Sequence, residues 1–171
     1  MTASGYVTVR SESPEDTAAI RSVNEVAFGR RDEADLVDAL RAERMVLRSF
    51  VAEHEGQVVG HILFSRMSIQ TVDGPFPAVA LAPVAVLPQH QRSGIGARLI
   101  RHGLQKLASD GERAVLVLGH PTYYTRFGFS VEKALHLSNP FPAESYMALE
   151  LGPGALIGIN GSVQYAKAFG I

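Results

Sequence analysis

The stretch Leu87-Pro88-Gln89-His90-Gln91-Arg92-Ser93-Gly94-Ile95-Gly96-Ala97 decides how this sequence folds. A near-continuous apolar run, Ala78 to Leu87, ends there, a polar segment follows, and a helical pattern begins at two glycines. The run reads as a strand buried on both faces. From Gly94 to Ser109, Ile95, Leu99, Ile100, Gly103, Leu104 and Leu107 make one apolar stripe at helical spacing, and Asp110-Gly111 stops the helix. Ala114 to Leu118 is a second buried strand. Strand, helix and strand form one β-α-β unit, whose strands should be parallel with a right-handed crossover. At the junction the first helical N–H groups lack intrahelical partners and the helix dipole is positive. Glycines let a ligand reach the backbone, so this is an anion site suited to phosphate or pyrophosphate. A glycine turn serving only tight strand–helix packing is the competing reading.

Working towards the N-terminus, Gln57 to Ser68 and Val46 to His54 read as strands around the hairpin signal Glu55-Gly56. Asp73-Gly74 marks another turn. Asp32 to Arg44 reads as a helix with Leu36 and Leu40 inward and a charged, solvated outer face. Ser13-Pro14-Glu15-Asp16 starts an earlier helix that Gly29 can end, after a strand from Tyr6 to Arg10. Towards the C-terminus, Tyr146 to Leu151 reads as a strand. Asn160-Gly161 reads as a hairpin turn in preference to a glycosylation acceptor, and Leu156 to Ile171 as a segment that closes the sheet or forms a homodimer contact. The expected product is one α/β domain over residues 1–171, with a mixed central sheet flanked by helices.

Composition narrows the function. The chain has 171 residues, 46% hydrophobic and 19% charged, as suits a globular protein. Its net charge of −1 gives no electrostatic footprint for nucleic acid, so an anion must be held by a local arrangement. There is no cysteine, which removes disulfides, thiolate metal sites and a cysteine nucleophile. Met1 to Arg10 carries no signal-peptide pattern, and Phe76 to Leu87 is too short to span a bilayer. The expectation is a cytoplasmic protein without a membrane or metal partner.

Rival glycine motifs fail. After Gly94-Ile95-Gly96 the next glycine is Gly103, which does not complete a dinucleotide fingerprint, and the Walker pattern is absent. Gln91, Gly94 and Gly96 instead fill Q/R-x-x-G-x-G/A, after Val84-Ala85-Val86 and Pro88. This resembles the acyl-CoA motif of the GNAT acetyltransferases. Leu116 to Phe129, which ends Tyr123-Tyr124-Thr125-Arg126-Phe127-Gly128-Phe129, resembles that family's second signature. Tyr-Tyr with Arg-Phe-Gly-Phe, and the tail from Tyr146 to Phe169, are similar to its small bacterial YhbS-like branch. The likeness spans essentially the whole chain.

The resemblance implies a GNAT fold with a splayed pair of parallel strands, acetyl-CoA as co-substrate and a small-molecule or peptide amine as acceptor. It implies that backbone amides from Arg92 to Ala97 (Arg92, Ser93, Gly94, Ile95, Gly96, Ala97) grip the pyrophosphate, with Arg92 and Ser93 side chains as further contacts. The pantetheine arm would lie along Val84, Ala85 and Val86 like an added strand. Pro83 cannot donate to a ladder, so this strand should be bulged or unpaired nearby. Tyr124 falls where the family places the acid that protonates the leaving thiolate, with Tyr123 packing beside it. The general base is open among His120, His61, Glu53, Glu25 and a water chain; Arg126 reaches substrate or pairs with an acid. Asp32, Glu33 and Asp35 either attract a cationic amine or only solvate a helix start. A non-catalytic acyl-CoA sensor remains the alternative to an enzyme.

Overall fold

The computed structural model describes residues 5–171. In chain order the elements are β1 (Val7–Ser11), α1 (Thr17–Phe28), α2 (Asp32–Ala42), β2 (Val46–His54), β3 (Gln57–Thr71) and β4 (Gly74–Val86). Then follow α3 (Ile95–Ser109), β5 (Ala114–Leu118), the single turn α4 (Pro121–Tyr124), β6 (Leu137–Ser138), β7 (Tyr146–Glu150) and β8 (Gly161–Gln164). The sheet is mixed, in the order β1-β2-β3-β4-β5-β7, with β8 paired to β3 and β6. The chain forms two compact units, Met1–Phe64 with Pro83–Gly103 and Ser65–Ala82 with Leu104–Ile171.

In the first unit β1 and β2 pair antiparallel from Val7↔His54 to Ser11↔Phe50. The expected helix start is present as a 3-10 turn, Pro14–Asp16, ahead of α1. Asp16 accepts from the Ser13 N–H at 2.7 Å and from both ends of the Arg10 guanidinium at 2.7 and 3.0 Å. Chiefly because of that guanidinium, its carboxyl is held down to about 2. Gly29, at φ +67, ends α1. The second helix stops at Ala42, two residues short of Arg44, which takes φ +59 and ends helical geometry. Gly103 lies in the apolar stripe of α3 because a Cβ there would strike the ring of Phe64.

In the second unit β4 and β5 pair parallel at Val79↔Val115 and Ala80↔Leu116, as expected of a β-α-β unit. On its other side β5 pairs antiparallel with β7, from Ala114↔Glu150 to Leu118↔Tyr146. Met67, Ile69, Phe76, Leu116, Leu137 and Tyr146 belong to one buried cluster, and each large apolar side chain removed from water contributes about 1.5–3 kcal/mol. Arg66 clamps Glu112 with two bonds, 3.0 and 2.6 Å.

Two expectations change. The strand expected from Ala78 begins at Gly74, because exposed Pro75 and Pro77 alternate with buried Phe76 and Ala78. Proline is tolerated at the start of a strand, so it does not delay this one. Asn160-Gly161 turns no hairpin: Gly161 opens β8, which pairs antiparallel with Ser68–Gln70 and parallel with Leu137 and Ser138. A Cβ on Gly161 would strike the Gln70 carbonyl, so the glycine serves close backbone approach rather than a turn. Of the C-terminal segment, Ala166 is buried while Ile157 and Ile171 are exposed. Among the described residues no helix is long and apolar enough to cross a membrane.

Candidate active site

The anion loop belongs to the first unit. After β4, Pro88–His90 forms a 3-10 turn, Gln91 is extended, and Arg92 and Gly94 take φ +62 and +85. A non-glycine residue at positive φ is strained by about 1–3 kcal/mol, and such residues collect where a loop must hold a shape for a ligand. Left-handed residues next to a helix start also turn successive N–H groups into a concave, anion-binding nest. The Arg98 N–H donates to the Gly94 carbonyl at 3.0 Å, the first bond of α3. The N–H groups of Ile95, Gly96 and Ala97 precede it and have no carbonyl a turn earlier to bind.

Side chains hold this loop in place. Gln91 donates through Nε2 to the Val86 carbonyl at 2.9 Å, tying the loop to the end of β4. Ser93 donates its hydroxyl to the His90 carbonyl. That proton is therefore committed to the loop, and the expected side-chain contact from Ser93 to phosphate would require it to turn away. Arg98 fastens the first turn of α3 to the Val7 carbonyl at 2.6 Å. Along the end of β4, Ala85 is buried while Val84 and Val86 are half-buried, so one side of the strand is open. The expectation of burial on both faces holds for Ala78–Leu81 and gives way to alternation beyond.

Tyr124 belongs to the second unit. It ends α4 and is 9% exposed. Tyr123 packs edge-to-face on it at 5.1 Å and Phe129 at 5.8 Å. The ring lies where a Cβ on Gly119 would sit, 2.8 Å from Cδ2, so the glycine after β5 makes room for the phenol. Burial, with Tyr123 as a lesser cause, pushes the phenol up to about 12. It is protonated throughout the neutral range and can donate. Among the described residues Arg126 pairs with no acid; its guanidinium stacks 4.6 Å from the Tyr123 ring centroid and its Nε donates to the Tyr123 carbonyl at 3.3 Å.

The base candidates separate. His61 is fully buried; its Nδ1 faces Asn24 Nδ2 at 3.1 Å and its Nε2 faces Ser49 Oγ at 2.8 Å. The Asn24 amide also donates to the Ile20 carbonyl at 3.0 Å, which fixes its orientation. Nδ1 of His61 is then the acceptor and Nε2 carries the proton. Burial, with a smaller effect of Arg41, pushes this imidazole down to about 3. It is a neutral core histidine with both nitrogens occupied, and the serine–histidine–asparagine chain is in the wrong tautomer to activate Ser49. Glu53 is paired with Arg10 at 2.8 Å and Glu25 with Arg21 at 2.9 Å. Arg21 also holds Asp35 and Asp38, each at 2.7 Å, and Arg30 holds Glu33 at 2.6 Å, so most acids at the start of α2 already have cations. His120 is exposed at the N-cap of α4, and its side chain makes no capping bond.

The predicted residues thus fall into two sets: Val84 to Ala97 in the first unit, His120 and Tyr124 in the second. Sequence reasoning missed Asn24, Ser49 and Gly119; only Gly119, directly after an apolar strand, carried a local signal. Among the described residues no cluster of acids and histidines could hold a metal ion.

Residues 8–131 match the model of an acetyltransferase (GNAT) domain. The chain is 42% identical over 135 residues to the uncharacterized N-acetyltransferase YjhQ of Escherichia coli strain K12, covering 75% of this chain and 74% of that protein. It is 33% identical over 164 residues to the uncharacterized N-acetyltransferase YhbS of the same strain, covering 94% and 97%. The crystal structure of Escherichia coli YhbS in complex with CoA matches with a TM-score of 0.91 and 30% identity, over 100% of this chain and 96% of that one. A GNAT family acetyltransferase from Brucella melitensis in complex with acetyl-CoA matches at 0.81 and 38%, over 96% and 99%.

Proposed function

Because this chain belongs to the GNAT acetyltransferase family, we propose that it moves the acetyl group of acetyl-CoA directly to a primary amine. The observation that carries the reading is the start of α3, where the N–H groups of Ile95, Gly96 and Ala97 are free of helical partners behind the left-handed Arg92 and Gly94. An oligoanion such as a pyrophosphate satisfies those donors and the dipole together. The CoA and acetyl-CoA held by the YhbS and Brucella melitensis structures support the donor. The half-open side of Val84 and Val86 suits an extended pantetheine arm, whose amides would pair with strand backbone.

In the proposed chemistry the amine nitrogen bonds to the thioester carbonyl carbon, and the C–S bond breaks. Backbone N–H groups at the end of β4 stabilise the developing oxyanion. Tyr124 gives its phenolic proton to the departing sulfur. A phenol near 12 is a weaker acid than a free thiol near 8.5, and it stays protonated until the sulfur leaves. The amine loses its proton to His120, directly or through water. The absence of cysteine fits direct transfer, since no thiol acyl-enzyme can form.

Acetyl-CoA incubated with an amine panel, with released thiol followed by a thiol reagent, tests this without background from protein thiols. Thiol release that depends on the amine, with acetylated amine formed in equal amount, is the expected result. Tight acetyl-CoA binding with no release across the panel would make the protein a sensor instead.

A further inference from the structure

The acid proposed for the leaving sulfur stands on very little helix. The single turn α4 and the 3-10 turn that follows it, Thr125–Phe127, have too few hydrogen bonds to hold their shape alone. Side chains must order Tyr124 instead. Three rings surround its own, with centroids at 5.1 Å for Tyr123, 5.8 Å for Phe129 and 6.4 Å for Phe127, each steeply tilted to it. On a further side the backbone of Gly119 leaves no room for even a methyl group. All of these residues belong to the second unit.

The walls of this cage differ in depth. Phe129 is 2% exposed and belongs to the interior. Tyr123 and Phe127 are half-buried, 5.3 Å apart, and form the outer side. The exposed Arg126 covers both. Its guanidinium lies 4.6 Å from the Tyr123 centroid and 5.6 Å from the Phe127 centroid, within cation–π range of each. Its Nε donates to the Tyr123 carbonyl at 3.3 Å, which ties it across the turn. Arg10, Arg21, Arg30, Arg41 and Arg66 each hold a carboxylate. Arg126 instead turns its charge onto two rings.

We propose that Arg126 is a positioning residue for the transfer reaction: stacked on Tyr123 and Phe127, it closes the aromatic cage that holds the Tyr124 hydroxyl in place for the departing sulfur. The proposal rests on Tyr124 as the acid and adds the residue that places it. Arg126 acts only through the two rings and touches neither donor nor acceptor. A guanidinium suits this place because it is planar, always charged and weakly hydrated, so it lies on a ring while its edge stays in water. Burial, with the Tyr123 phenol as the lesser cause, raises the Tyr124 phenol to about 12. A cage that opens admits water and lets that phenol fall towards its ordinary value near 10.

The test compares the wild type with Arg126→Met, which keeps the length of the side chain and loses its charge, and with Arg126→Lys, which keeps the charge. In Arg126→Met kcat should fall about tenfold, the combined scale of two exposed cation–π contacts, while acetyl-CoA affinity changes less than about twofold. Arg126→Lys should restore kcat to within about threefold of the wild type. NMR of ring-labelled tyrosine, with the Tyr124 signal assigned by its loss in Tyr124→Phe, should show the phenol titrating near 12 in the wild type and nearer 10 in Arg126→Met. A residue that served only the fold would lower the melting temperature and leave kcat and the Tyr124 titration unchanged. Either of those two staying unchanged overturns the proposal, as does an equal loss of kcat in both variants or a parallel loss of acetyl-CoA affinity. If Tyr124→Phe keeps full turnover, the acid reading fails, and the titration still decides whether Arg126 holds the ring.

Discussion

The loop from Leu87 to Ala97 is shaped by its own neighbours in sequence. Gln91 reaches back five residues to Val86, Ser93 three to His90, and the left-handed turn at Arg92 and Gly94 is local. The segment from Val131 to Gln164 is shaped by partners far away. Its β8 is held by β3, roughly a hundred residues earlier, and Tyr146 by Leu118 and Tyr165. A region of the first kind can be read from a short window and perturbed one contact at a time. A region of the second kind cannot, because a change at one position is felt through a strand the sequence does not mention.

The largest expected effect falls on the site in the second unit. Tyr124→Phe should lower kcat about a hundredfold, the scale of a lost general acid, while acetyl-CoA affinity changes less than about threefold. Because the phenol is raised to about 12, the wild-type rate should show no alkaline decline from this residue below about pH 11. A decline centred near pH 10 that vanishes in Tyr124→Phe would mean that the phenol is less buried than the structure has it. Full turnover in the variant would remove the residue from the mechanism.

Next in size is Gly161→Val, which should destabilise by about 2 kcal/mol by pushing β8 off the Gln70 carbonyl. Thermal melting would show it, and an unchanged melting temperature would mean that β8 is not held as described. Gly94→Val should act locally: φ +85 disfavours a β-branched residue, and acetyl-CoA affinity should fall about tenfold by calorimetry in a protein that remains folded. Gln91→Ala removes a single bond to Val86 and should weaken acetyl-CoA about threefold. Were Gln91→Ala to unfold the chain, or Gly161→Val to be silent, the contrast between local and distant support would be wrong.

The same contrast explains what could be read from the residues alone. The β4–α3–β5 unit, the glycine loop and the position of Tyr124 were legible because periodicity, helix starts and a short motif act over a few residues. The core role of His61 was only one of two readings, since Asn24 and Ser49, which occupy its nitrogens, are 37 and 12 residues away. The acids of α2 looked available for an amine because Arg21, which holds Asp35 and Asp38, lies on another helix. Asn160-Gly161 has the composition of a hairpin turn, and only the backbone of β3 beside it makes that glycine a strand residue.

The central claim, that the start of α3 grips the pyrophosphate of CoA, is tested most directly by comparing acetyl-CoA with acetyl-pantetheine, which keeps the thioester arm and lacks the pyrophosphate and nucleotide. Calorimetry at fixed ionic strength should show acetyl-pantetheine binding about a hundredfold more weakly, with Gly94→Val lowering the affinity of acetyl-CoA and leaving that of acetyl-pantetheine unchanged. Equal affinities for the two donors, or an equal loss for both in the variant, would contradict it.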